Sequence, residues 1–203
     1  MATISEIKNA SLLKLGVKPV DDFLVETTNE AKICNRLYPL YKRNMLSRRR
    51  WSFAMKRIKL ASFSNVVEDE FKYAFDLPAD FINLVSVFID DKYQIAFPDY
   101  EMRGNKIYTN EGVLFIKYIY DAPEEQFSGV FTDFFTVAFA SEICWVLTGD
   151  KVLTDFIKNQ AFGGAYDNMR GGLFGVASLS DSAQNPTRRI NPSSVFTRRH
   201  GGI

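Results

Sequence analysis

Apolar residues recur at helical spacing near both ends of the chain and alternate with polar ones in its middle. Thr3 and Glu6 form a capping-box pair, and Ile4, Ile7, Leu12 and Leu15 keep near-helical spacing until Gly16, which predicts a short amphipathic helix. Thr27 and Glu30 repeat the pair ahead of Ile33, Leu37, Tyr41 and Met45, predicting a second helix. Pro39 removes a backbone donor inside it, so a kink or a break is expected there. From Phe53 the period becomes two. Phe71, Tyr73, Phe75 and Leu77 alternate with polar or small residues, and further strands are predicted at residues 54–61, 82–89, 93–97, 106–108 and 113–120. Helical spacing returns from Phe131 to Thr148, apolar on nearly every face, which predicts a helix buried in a bundle or against a neighbouring subunit. Gly149 ends it and Asp150 caps the next, which is expected to run toward Met169 with Gly163 and Gly164 interrupting it.

The pattern predicts an α+β fold: a helical bundle of two N-terminal and two C-terminal helices with an inserted antiparallel β unit and an extended C-terminal tail. The bundle is assigned residues 1–50 and 127–172, the β unit 51–126 and an assembly tail 173–203. Beyond Gly172 the chain turns to Ser, Asn, Pro, Gly and Arg with few apolar residues, too little to bury by itself, so a partner chain is expected to order it.

Composition narrows the function classes. The 203 residues suit one domain carrying an insertion, and 25 basic against 24 acidic residues leave no global charge to steer the chain to nucleic acid. The N-terminal segment lacks the basic stretch and apolar core of a signal peptide. No apolar run approaches the about 20 residues of a membrane span, so a cytoplasmic product with no membrane partner is expected. Cys34 and Cys144 are read as small buried side chains, and His200 is the one histidine. Nothing here suits a zinc site, a nucleophilic triad or a phosphate-cradling glycine loop. No cofactor and no enzymatic role are expected.

Three sets of residues remain as candidates. Glu142 interrupts an apolar helix line, read as a buried ion pair with Arg36 or Arg43, or as a catalytic acid of a peptidoglycan hydrolase. Between Lys42 and Lys59 lie eight basic residues and no acid, with Arg48, Arg49, Arg50, Lys56 and Arg57 at its centre beside Trp51 and Phe53. That run suits solvated or intersubunit charge, neutralised within the fold or across a subunit boundary by Glu68, Asp69, Glu70, Asp76 and Asp80, or contact with DNA phosphates. In the tail, Arg188, Arg189, Phe196, Arg198 and Arg199 suit an acidic protein surface or a phosphate backbone.

The order of elements, with the stretches Ala31 to Tyr38, Arg48 to Ala54, Phe75 to Phe81, Gly104 to Thr109 and Ala140 to Asp150, resembles the tail tubular protein A family of short-tailed bacteriophages. The resemblance spans most of residues 3 to 170. It departs at Gly163 and Gly164, where members usually carry an uninterrupted helix. It implies a homo-oligomeric, dodecameric ring at the head-to-tail junction of the virion, binding the portal on one side and a tail nozzle of the tail tubular protein B type on the other. Tail fibres and the genomic DNA passing through the channel are the further partners it implies, and the β unit would project outward or toward the tail.

Overall fold

Polar caps and glycines set the helix ends in the computed structural model, which describes residues 2–25, 27–63, 71–93 and 96–184. Helix α1 is Ile4–Lys14, and its capping box forms as the sequence predicts: Glu6 N donates to Thr3 Oγ1 at 3.2 Å and Thr3 N to Glu6 Oε2 at 2.7 Å. Helix α2, Asn29–Ser47, starts one residue later than expected. Thr28, not Thr27, is its cap and accepts from Ala31 N at 3.3 Å. The helix runs on through Pro39 without a break, because Pro39 lies on the exposed side, where water can satisfy the carbonyl that loses its donor.

Helix α3, Gly129–Thr148, is capped by Ser128 and closed by Gly149 in the left-handed region at φ +66°. By length and mean hydropathy it is long and apolar enough to cross a membrane, which the reading of unbroken apolar runs missed. Most of that surface, 61% of the window, is buried inside the fold, where Phe131, Phe134, Phe135 and Phe139 form the centre of the core. Each such ring contributes about 1.5–3 kcal/mol by leaving water.

Asp150 caps α4, Lys151–Phe162, by accepting from Leu153 N at 3.0 Å. The expected run to Met169 does not occur. Gly163 stops α4 at φ +82°, and a short 3-10 turn at Ala165–Asp167 reverses the chain into α5, Gly172–Gln184. This corrects the tail boundary: residues 172–184 are a helix of the bundle, packed on α3 and α4. Phe174 is the reason. Its ring lies 5.3 Å from Phe134, 5.8 Å from Trp51 and 6.3 Å from Phe162, so this segment completes an aromatic cluster in its own chain. Backbone approaches closely at Gly172, where a Cβ would meet Gln160 O at 2.5 Å.

The β unit holds seven strands among the described residues: β1 Met55–Leu60, β2 Ser62–Phe63, β3 Tyr73–Asp76, β4 Phe81–Phe88, β5 Glu101–Arg103, β6 Lys106–Thr109 and β7 Leu114–Tyr120. They form two antiparallel sheets, ordered β1-β7-β4 and β2-β3-β6-β5. The strand expected at 93–97 is absent at its described positions, and Gln94 and Ile95 lie outside them. Phe97 N makes a single ladder-like bond to Val87 O at 2.8 Å. Strand β5, which the pattern did not predict, pairs with β6; its three residues are all exposed and show no alternation to read. One continuous hydrophobic core runs from α1 through β7 to α5.

Candidate interaction surfaces

The basic run divides once the fold is drawn. Arg48 stacks over Phe162 at 4.8 Å. Arg49 lies over Trp51, donates to Ser182 Oγ and comes within 3.9 Å of Asp181 on α5. Lys56 pairs with Asp80 at 2.7 Å and sits 3.7 Å from the Tyr120 ring centre. These three are absorbed within the subunit. Asp80 also accepts from Tyr118 Oη at 3.0 Å. Burial alone would raise the Asp80 pKa, but hydrogen bonds from Lys56 and Tyr118 outweigh it and hold the carboxyl below its ordinary value.

Arg50 and Arg57 are different. Both are exposed and have no acidic partner among the described residues; Glu68, Asp69 and Glu70, named above as possible counter-charges, lie outside these. The antiparallel register sets Arg57 of β1 directly opposite Lys117 of β7, with Ser86 of β4 on the far side of Lys117. Two residues along the strands the row is Lys59, Phe115 and Phe88. Tyr93 bridges these rows: its ring is 5.3 Å from the Arg57 guanidinium, 5.7 Å from Phe115 and 5.2 Å from Phe88. Burial, then the charges of Arg57 and Arg50, lower the pKa of Lys117. Lys117 carries no signal in the linear basic run, because only the β1–β7 register brings it there.

The ion pair expected at Glu142 is corrected. Glu142, Arg36 and Arg43 are all exposed, and Arg43 donates to the Phe81 carbonyl at 3.1 Å. The buried charges sit elsewhere. Lys42 Nζ lies 3.0 Å from Asp121 and 3.2 Å from Glu124, joining α2 to the chain leaving β7. Asp121 Oδ1 and Glu124 Oε1 make no aligned hydrogen bond, so the attraction is chiefly one of charge. Tyr38 is buried nearby, and burial followed by the Glu124 charge pushes its hydroxyl pKa up. Cys34 and Cys144 are buried as expected, with burial raising the Cys34 thiol to about 11. Among the described residues no group of His, Cys, Asp or Glu is placed to hold a metal ion.

A second kind of surface is apolar. Val152 and Phe156, one turn apart on α4, are 81% and 67% exposed, and Trp145 and Val146 at the end of α3 are more than half exposed. The Gly149 turn joins these two helix ends. Leu13 on α1, Leu24 and Val25 in the loop after it, and Leu40 on α2 are also exposed. The tail candidates Arg188, Arg189, Phe196, Arg198 and Arg199 lie outside the described residues. In comparisons with known proteins, no family model matches the chain and no curated protein matches it.

Proposed function

We propose that this chain is a structural adaptor subunit that packs side by side into a ring between the portal and the tail nozzle of a short-tailed bacteriophage, around the channel through which DNA leaves. The observation that carries the reading is the apolar surface at the α3–α4 turn, where Trp145, Val152 and Phe156 stand in solvent on a subunit whose own core is already filled. Large apolar side chains grouped at one place mark a contact with another chain. A ring joins two different faces of each subunit, and Leu13 and Leu40 are exposed on α1 and α2, elements other than those that carry Trp145 and Phe156. The order of elements adds its resemblance to the adaptor family. The hydrolase alternative gains no support from Glu142, which stands on an open helix face without the enclosure a catalytic acid needs.

Sedimentation or native mass measurement of the purified chain, alone and mixed with portal, tests this. The wild type is expected to form a closed oligomer, with the portal if not alone. Trp145→Asp with Phe156→Asp touches no core position and is expected to leave a folded monomer that does not join. A wild type that stays monomeric beside the portal, or a double variant that assembles normally, sinks the reading.

A further inference from the structure

The most unusual charge arrangement in the molecule is the one the fold leaves unanswered on the β1-β7-β4 sheet. Arg57 and Lys117 face each other across a ladder, where like charges repel and cost stability. Arg50 adds to the same field, and Lys59 follows two residues along β1, about 6.8 Å away at strand rise. A protein surface normally interleaves both signs; here the register gathers three cations, the charge of Arg50 reaches Lys117 from the segment before β1, and none of the four has a paired acid among the described residues. Asp90 and Asp91 follow β4 in the turn, and among the described residues the charge of Asp91 acts on Tyr93.

The cations are also held in place. Arg57 rests on the Tyr93 ring and Lys59 lies 5.9 Å from the Phe115 ring centre, while Tyr93 itself is fixed between Phe88 and Phe115. Tyr93 adopts φ +52°, an uncommon conformation for a non-glycine residue. Aromatic support of this kind limits the side-chain freedom that long cations otherwise lose on binding. A local rule broken at a cost, with its parts preorganised, is what a binding site looks like in an otherwise consistent fold.

We infer that Arg50, Arg57, Lys59 and Lys117 form a binding site for the phosphodiester backbone of duplex nucleic acid. A duplex offers a regularly repeated negative charge, about one per 3.4 Å along each strand, that a run of cations without acids can follow. The site offers four cations and the hydroxyls of Ser86 and Tyr93; with its contacts assigned to phosphates alone, binding is expected to be indifferent to sequence. The site stands apart from the ring reading, since either can hold without the other.

The test is binding of a short DNA duplex by the full chain, measured by fluorescence anisotropy over a range of salt. Four phosphate contacts give a slope of log affinity against log salt of roughly −3.6, and Arg57→Gln with Lys117→Gln is expected to reduce its magnitude by about 1.8. The same pair removes a repulsion, so its Tm is expected to hold or rise while binding falls. Should that pair misfold, Arg50→Gln with Lys59→Gln reads the same site. Repeating the comparison with Arg188, Arg189, Arg198 and Arg199 replaced by Ala separates sheet from tail, and the slope must fall by the same amount there. No binding at low salt, an unchanged slope in the sheet variants, or binding that vanishes with the tail arginines alone overturns the inference. Displacement by polyglutamate at the same charge concentration as DNA also overturns it, in favour of an acidic protein partner.

Discussion

Lys42 shows at the scale of one residue how the structure distributes its buried charge. It lies on α2 with two acids from the segment after β7 within 3.2 Å, and Glu124 is as buried as it is. Replacing it by Met leaves an acid buried without its cation, expected to cost about 3 kcal/mol, toward the low end for broken buried pairs because Asp121 is a third exposed. Adding Glu124→Leu to Lys42→Met removes the orphaned charge and is expected to recover more than half of the loss. Urea denaturation of the single and double variants reads this; a Lys42→Met protein as stable as wild type would remove the charge pairing from the account. Glu142 drew attention in the sequence because it breaks an apolar line, yet it is simply exposed. A helix apolar on nearly every side has no marked polar face, so its solvent side cannot be read from periodicity. Lys42 gave no such signal, because a lysine among other basic residues looks solvated. Its long apolar stem and the acids about 80 residues away in sequence are what permit burial.

At the scale of elements, most of the fold was legible and the misreadings share a cause. The capping box of α1, the Gly149 close and the Asp150 cap are local chemistry, and they stand where the sequence places them. So do the cores of β1, β3, β4, β6 and β7, whose apolar residues are large. Helix α5 and strand β5 were missed because glycine, serine and charged residues dilute their apolar positions and their order comes from packing. In α5 only Phe174, Ala177 and Ser178 are buried, at the spacing of one helix face, and Gly175 sits where a Cβ would meet Arg170 O at 3.0 Å. Two truncations distinguish the helix from the tail. Ending the chain after Gln184 keeps every described contact and is expected to change stability by less than about 0.5 kcal/mol. Ending it after Gly171 strips Phe174 from Trp51, Phe134 and Phe162, with an expected loss of about 3 kcal/mol or more, near that of a Phe→Ala change in a core. Equal denaturation midpoints for the two truncations would mean that α5 contributes nothing to the fold.

For the whole molecule, the question is whether the bundle and the inserted β unit behave as two bodies. The chain crosses between them twice, and aromatic side chains stand at both crossings. Trp51 and Phe53 mark the way in and Phe127 the way out, and all three rings lie within 4.8 Å of the Phe131 ring at the start of α3. The Lys42 pairing ties the exit segment to α2 at the same level. With the core continuous across this junction, neither half has a closed apolar interior without the other, so unfolding is expected to be a single cooperative event. Assembly would confuse the measurement by making stability depend on concentration, so the monomeric Trp145→Asp/Phe156→Asp variant is the suitable sample. That variant also leaves Trp51 as the one tryptophan, reporting from the junction itself. Trp51 fluorescence and far-ultraviolet circular dichroism are expected to give one shared midpoint. Phe131→Ala is expected to cost about 3–5 kcal/mol of stability, moving that midpoint down without splitting it. A β signal that melts separately from Trp51 would show that the junction is a hinge between two folding units, and the shared core would have to be redrawn as two.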